Sequence, residues 1–295
     1  MKRFIIKLIL FFAFPLVLLL VGYVIAVKKV NGYQPEKNVS ICFIGDSHIQ
    51  KAIDDKLVPN SKNHGLSAEQ YLHSYYKIKL LLRNKQQLKK IYLGFSYHNL
   101  SSYSDEFTIG EKTAFVGSKY FFLLPKKEQF NMLKSVEENR NTLLKNLVKE
   151  LINTNLHKTE KLEFIGLYQN KFKNSTADLK SINKRICQHF YNNNKIISFS
   201  KKNIYYLKKI IEICKKNNVE IEMINSPLHP IYKSKIPKEY IDFYTDFCKE
   251  NKLKVLDFSD MKLSEDCYIF DGDHVSLKGS KVLTNHFIEV TRSGN

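Results

Sequence analysis

Two short clusters hold the residue types able to do nucleophilic and acid–base work. Phe43-Ile44-Gly45-Asp46-Ser47-His48 closes a short apolar run, and Phe270-Asp271-Gly272-Asp273-His274 lies just ahead of the last helical segment. A serine hydroxyl is a poor nucleophile at neutral pH and needs a base. His274 can take its proton. Asp271, three residues earlier, can hold the imidazole tautomer, because an Asp-x-x-His turn presents both side chains on one side. These are the parts of a triad: Ser47 as nucleophile, His274 as base, Asp271 as orienting acid. Asp273 competes with Asp271, but its adjacency to His274 gives it the poorer geometry. Asp46 reads first as a turn cap or a brace for the serine loop, and second as a pocket residue. His48 either lines the pocket or packs. His229 either lines the pocket or sits on a surface loop.

Side chains so far apart in sequence need a scaffold that brings them to one edge. Apolar runs at 39–44, 91–95, 219–224 and 254–258 carry the strand signal. Helical spacing marks 66–88, where Ser67 and Gln70 form a candidate capping box. It also marks 126–152, with Phe130, Leu133, Val136, Leu143, Leu144, Leu147 and Leu151 on one face. Further helices are expected over 200–217, 237–250 (Pro237 suits a first turn) and 276–290. Strands and helices alternate at both ends of the chain, which argues a three-layer α/β domain with a mostly parallel sheet. The stretch 100–199 breaks the alternation and reads as a helical insertion on the loop side of the sheet, a candidate lid. Residues 154–199 within it are polar and give little periodicity. In such a sheet, sites form at the carboxyl ends of strands. Ser47 sits where a strand stops and a helix begins, so its N–H and the helix dipole would face an oxyanion.

Composition sets the remaining bounds. The 295 residues are 43% hydrophobic and 26% charged, so the chain can bury a core. Lys+Arg number 47 against 29 Asp+Glu, a net charge of +18. The excess is lysine spread through every segment. Arginine occurs only as Arg3, Arg83, Arg140, Arg185 and Arg292, with no aromatic-basic pattern, which argues against nucleic acid as a partner. A scattered lysine surface suits solvent, an anionic lipid or an acidic polysaccharide. The 5 cysteines show no C-x-x-C spacing, so a cysteine zinc site is not expected; spacing cannot choose a disulfide pair. Mean hydropathy of −0.31 excludes a polytopic membrane protein. One span is expected over 8–27, which is free of charge between Lys7 and Lys28 and reaches ~30 Å as a helix. A cleaved signal peptide, with Val24-Ile25-Ala26 as a weak site, and a buried core helix are the competing readings. Lys2, Arg3 and Lys7 favour a cytoplasmic N-terminus over 1–7. Residues 28–38 then form a linker, and 39–292 an extracytoplasmic α/β domain.

Gly45-Asp46-Ser47 and Asp271-Gly272-Asp273-His274 resemble the first and last blocks of the SGNH (GDSL-type) hydrolase superfamily. Asn63-His64-Gly65 falls where that family has an oxyanion-hole glycine, and Ile91 to Ser96 falls where it has Gly-x-Asn. The resemblance implies an SGNH/flavodoxin-like fold and an oxyanion hole built from the N–H groups of Ser47 and Gly65. Ser96 replaces the family's asparagine, so Ser96 or Asn99 is the candidate third donor. No metal or organic cofactor is implied. His48 after the serine, the anchor, and Asn225-Ser226-Pro227-Leu228-His229-Pro230 resemble a membrane-anchored bacterial branch that includes alginate O-acetylation and teichoic acid D-alanylation proteins. By resemblance, the protein would move or remove an acyl group on a cell-surface glycan, with an integral membrane acyltransferase as a partner. Two other readings compete. A metallophosphoesterase would use Asp46-Ser47-His48 as Asp-x-His, but its further motifs are missing. An anchored, inactive scaffold or glycan-binding module would keep the fold without an activated serine.

Overall fold

The computed structural model describes residues 1–83, 87–156, 162–173 and 175–293. Seven strands occur among them: β1 Ile41–Ile44, β2 Ser61–Asn63, β3 Lys90–Gly94, β4 Tyr191–Asn192, β5 Lys195–Ile196, β6 Glu220–Asn225 and β7 Val255–Asp257. The α-helices are α1 Lys2–Asn31, α2 Ser47–Ala52, α3 Tyr71–Arg83, α4 Thr113–Val116, α5 Lys126–Ser135, α6 Arg140–Leu156, α7 Leu179–Phe190, α8 Lys201–Lys216, α9 Pro230–Ser234, α10 Lys238–Glu250 and α11 Leu277–Ser293. Five strands form one all-parallel sheet in the order β2-β1-β3-β6-β7, and β4 and β5 form a separate hairpin. Counted along the sheet this is the flavodoxin-like order 2-1-3-4-5, with its switch point between β1 and β3.

Side-chain alternation explains why these runs are apolar on both faces. Cys42 and Ile44 of β1, Ile91 and Leu93 of β3 and Met223 of β6 point to one core, shared with α3, α8 and α10. Phe43, Tyr92 and Ile224, one residue out of phase, point to the other, closed by Ile49 of α2 and Leu283 and Phe287 of α11. Phe43 stacks on Tyr92 with ring centroids 5.2 Å apart. Gly45 ends β1 at φ +152°, and a Cβ there would lie 2.9 Å from Ile49 Cγ1. The absence of a side chain lets α2 start directly against the sheet.

Four expectations from sequence need correction. Strand β2 is absent from them: it is three polar residues at the sheet edge, fixed by hydrogen bonds rather than by apolar alternation. Asn63 N–H donates to Asp55 Oδ2 (3.0 Å), and Asn63 Nδ2 donates to the carbonyls of Ile49 and Ile53. The expected capping box at Ser67 is absent, because the Ser67 hydroxyl and N–H both donate to Gln50 Oε1 and the helix starts only at Tyr71. The 126–152 helix is two helices. Val136 breaks it in an extended conformation, and Glu111 accepts from the N–H groups of Glu137, Glu138 and Asn139 just ahead of α6. Phe130, Leu133 and Leu144, expected on its inner face, are exposed. The 154–199 stretch contains α7 and the β4–β5 hairpin.

Helix α1 has 30 residues and a mean hydropathy of 2.9 over its most apolar window, enough in length and composition to cross a membrane. Its first twenty residues project from the domain. Its last turns dock on it through Ala26 and Val30.

One buried ion pair ties the core to the loop after β2. Lys77 of α3 donates to Glu69 and to the carbonyl of His64, and Glu69 also accepts from Ser74 and Tyr120. Both charged side chains are fully buried. Removing one partner of such a pair typically costs ~3–5 kcal/mol, whereas replacing both can be near neutral. Lys77→Met is therefore expected to destabilise the protein by about that much in chemical denaturation, and the Lys77→Met/Glu69→Gln double variant is expected to recover much of the loss.

Candidate active site

The loops after β1, β2 and β3 and the turn before α11 meet at the carboxyl end of the sheet, across the switch point. Ser47 is the first residue of α2, and Asp46 is its N-cap, accepting from His48 N–H at 2.8 Å. His274 Nε2 lies 2.7 Å from Ser47 Oγ, and its Nδ1 lies 2.8 Å from Asp271 Oδ2. With Nδ1–H donating to Asp271, Nε2 is the acceptor for the serine hydroxyl.

Asp273 sits closer to this line than adjacency in sequence suggests. It is fully buried. Its Oδ2 accepts from Arg185 Nε at 2.8 Å and faces His48 Nε2 at 3.3 Å. Its Oδ1 lies 3.0 Å from His274 Nδ1, off the N–H direction that serves Asp271. Adjacency therefore does not remove Asp273 from the imidazole; the turn places both carboxylates against one nitrogen. Burial opposes charge on His274, but Asp273 first and Asp271 second outweigh it and hold the imidazole above its ordinary range. Burial pushes Asp273 up, and His274 and Arg185 more than reverse this, so it stays ionised. Burial raises Asp271 against the pull of His274, with the Asp273 charge adding to the rise.

The residues expected to line a pocket divide. Asp46 lines a cavity of about 250 Å³ beside Ser47. Its Oδ2 accepts from His98 Nε2 and Asn99 Nδ2, each at 2.8 Å. Burial would push its carboxyl up, but the His98 bond and neighbouring positive charge hold it well below the carboxylate range. With both oxygens committed, Asp46 has no place as a metal ligand of the phosphoesterase type. His48 does not line the cavity. It is buried in a file of imidazoles, 4.4 Å from the His98 ring and 4.6 Å from that of His274, and His98 stacks 4.8 Å from His189. Burial, then the His98 charge, lowers His48 to about 4. His229 is neither a surface nor a pocket residue. It caps α9, its Nε2 meets Glu265, and its N–H donates to the Gly272 carbonyl at 2.8 Å, buttressing the Asp271–His274 turn from behind.

The expected oxyanion donors are also corrected in part. Gly65 N–H donates to Asn63 Oδ1 at 2.8 Å. Ser96 N–H donates to Asn99 Oδ1, and the Asn99 amide donates to Asp46, so both brace the loop after β3. None of the three lines the cavity beside Ser47; Ala68 does. Ala68 holds φ +61°, a left-handed conformation that costs a non-glycine residue ~1–2 kcal/mol. Among the described residues, no acceptor takes its N–H or that of Ser47.

Most of the other cavity residues escape sequence reasoning. Tyr103, Ser104, Phe107, Arg185 and His189 come from the 100–199 segment, His98 from the loop after β3, and Lys51 follows Ser47 by one helical turn. Lys51 has no ion-pair partner among the described residues, and burial, opposed by the nearby carboxylates, lowers its pKa. The one signal available for any of them is the i, i+4 relation of Lys51 to Ser47.

No curated protein matches the sequence. A family model that carries no functional description matches residues 152–293, just under half of the chain. Among solved structures, a provisionally assigned acylhydrolase from Bacteroides fragilis is 10% identical with a TM-score of 0.41, covering 91% of this chain and 94% of its own. A Streptococcus pneumonia protein, provisionally described as a platelet activating factor, is 14% identical with a TM-score of 0.41, covering 94% and 98%. A GDSL-like lipase from Bacteroides thetaiotaomicron is 10% identical with a TM-score of 0.40, covering 92% and 96%. At these values the likenesses decide nothing about activity. Strand order and site geometry are the stronger guides to function.

The buried imidazoles make stability depend on pH. His48 titrates near 4 when folded and near 6.5 in an unfolded chain. The stability it contributes is complete above pH 6.5 and is lost as pH falls toward 4. Urea midpoints should therefore fall between pH 7 and pH 5, and His48→Gln should remove about 2 kcal/mol of that fall. An unchanged slope in the variant would contradict the buried neutral imidazole.

Proposed function

We propose that the protein is a membrane-anchored, SGNH-type serine acyl-transfer enzyme, an O-acyltransferase or esterase, acting on an extracytoplasmic glycan. The observation that supports this most is the continuous Ser47 Oγ–His274 Nε2 and His274 Nδ1–Asp271 line, at 2.7 and 2.8 Å, opening on a cavity at the switch point of the sheet. In the proposed reaction Ser47 Oγ attacks the ester carbonyl while His274 Nε2 takes the hydroxyl proton. The carbonyl oxygen becomes an oxyanion facing the N–H groups of Ser47 and Ala68, with the α2 N-terminus behind it. Collapse breaks the bond to the leaving alcohol, which receives the proton from His274. A glycan hydroxyl or water then attacks the acyl-serine by the same steps reversed.

Asp271 holds the imidazole tautomer. Asp273 supplies the fixed negative charge that raises its basicity. Asp46 positions the loop. Tyr103, Phe107, Arg185 and His189 wall the cavity from the 100–199 segment, which supports a lid that limits water at the acyl-enzyme. Helix α1, with Lys2, Arg3 and Lys7 at its start, supports anchoring in a bacterial membrane with the domain outside. An integral membrane acyltransferase is the proposed source of the acyl group. No metal or organic cofactor enters this chemistry.

The test uses hydrolysis of an activated acetyl ester by the full chain and transfer to an oligosaccharide. Ser47→Ala and His274→Ala are each expected to lower kcat/KM by about 10³-fold or more. Because Asp273 is the stronger influence raising His274, Asp273→Asn should move the acid limb of the kcat/KM profile to lower pH. Asp271→Asn should mainly lower its height, by up to about 10⁴-fold. Activity that survives Ser47→Ala would remove Ser47 as the nucleophile, and a wild-type chain without activity would favour an inactive anchored module.

A further inference from the structure

We propose that the carboxyl-terminal end of helix α6 is immersed in the lipid bilayer beside α1, so that the domain is held at the membrane by two elements. The inference rests on the reading of α1 as a membrane span and goes beyond it. Lys7 sets one limit of the apolar run and Lys28 the other. A hydrocarbon core of ~30 Å needs about 20 helical residues, so the run 8–27 has none to spare. Moving the span toward the N-terminus would bury Lys7. Gly22 therefore lies five residues inside the outer limit at Val27, a depth of ~7 Å along the helix.

Helix α6 packs on α1 at that depth. Leu151 Cδ2 lies 3.4 Å from the point where a Gly22 Cβ would stand, and Asn155 Nδ2 donates to the Gly22 carbonyl at 3.1 Å. A Cβ at position 22 would make ordinary van der Waals contact with Leu151 and Asn155, so α6 lies directly against α1 at this level. Ile152 and Leu156 follow Leu151 and Asn155 by one residue each and share their level. They are 50% and 78% exposed, and Val148 and Leu144 continue the same apolar row one and two turns back. Lys145 and Lys149 flank that row, where long basic side chains reach a phosphate headgroup while their stems stay on apolar surface. An apolar row continuous with a span, with lysines beside it, fits the boundary between headgroups and acyl chains. In water the same row would be exposed apolar surface with no partner. Since α6 belongs to the segment that supplies Tyr103 and Arg185 to the cavity, its immersion would fix the height and tilt of the catalytic cavity above the membrane.

The chain contains no tryptophan, so a single reporter is unambiguous. Full-length Ile152→Trp and Leu156→Trp are reconstituted in phosphatidylcholine/phosphatidylglycerol vesicles with lipids brominated near the headgroup end of the acyl chain, and Leu18→Trp with lipids brominated near its methyl end as well. Leu18→Trp reports the span, and Tyr205→Trp, on exposed α8, reports solvent. Emission from Ile152→Trp and Leu156→Trp is expected to fall roughly twofold or more on bromination, and that of Tyr205→Trp to stay unchanged. Quenching of Leu18→Trp without quenching at 152 and 156 would overturn the immersion of α6 and leave the anchor standing. Absence of quenching at all three positions would overturn both.

Discussion

A carboxylate with no access to water sets the terms for the whole site. Asp273 is enclosed by Arg185, His48 and His274, and an isolated charge in that position would cost several kcal/mol. It is tolerated because Arg185 brings a permanent cation to its Oδ2 and two imidazoles close the remaining sides. Arg185 comes from α7, inside the segment that interrupts the strand–helix alternation. That segment is therefore joined to the Asp271–His274 turn through a partly buried ion pair, and its own side chains wall the cavity. Loss of Arg185 would leave Asp273 with only the two imidazoles beside it and no permanent cation.

Asp46 does comparable work on the other side. One carboxylate caps α2 and accepts two bonds from the loop after β3, so the ends of β1 and β3 are joined across the switch point where the sheet would otherwise open. His48 lies between the two carboxylates, its ring tilted 30° against that of His98 and beside that of His274. The file of imidazoles thus connects Asp46 to Asp273. Ser47 and His274 keep their spacing because each is mounted on one of these two carboxylate-centred clusters.

The central sheet is legible in the sequence because its strands are covered on both faces and must be apolar throughout. The same signal cannot find β2, whose three polar residues are held by Asn63 and Asp55 side chains. Apolar spacing joins α5 to α6 because it cannot sense a remote carboxylate such as Glu111 ordering the chain between them. Ser47, His274 and Asp271 are readable since two of the three lie in one turn and the third at a strand end. Gly65 is a reasonable oxyanion candidate by position. An asparagine two residues earlier takes its N–H, whereas among the described residues nothing takes the N–H of Ala68, whose left-handed backbone no residue type announces. Arg185, His189 and Tyr103 come from a stretch with little periodicity, and only the tertiary fold brings them to the serine. Adjacency to His274 discounts Asp273 only if one overlooks how a tight turn can set two carboxylates against one imidazole nitrogen.

The central claim is that Ser47 is an activated nucleophile, and the most direct measurement is intact mass after exposure to a fluorophosphonate. The full chain would be labelled in membranes, with Ser47→Ala and His274→Ala treated alongside. A single phosphonyl adduct on the wild-type chain, absent from both variants, is the predicted result. A wild-type chain that stays unlabelled, or an adduct that persists in Ser47→Ala, would contradict it.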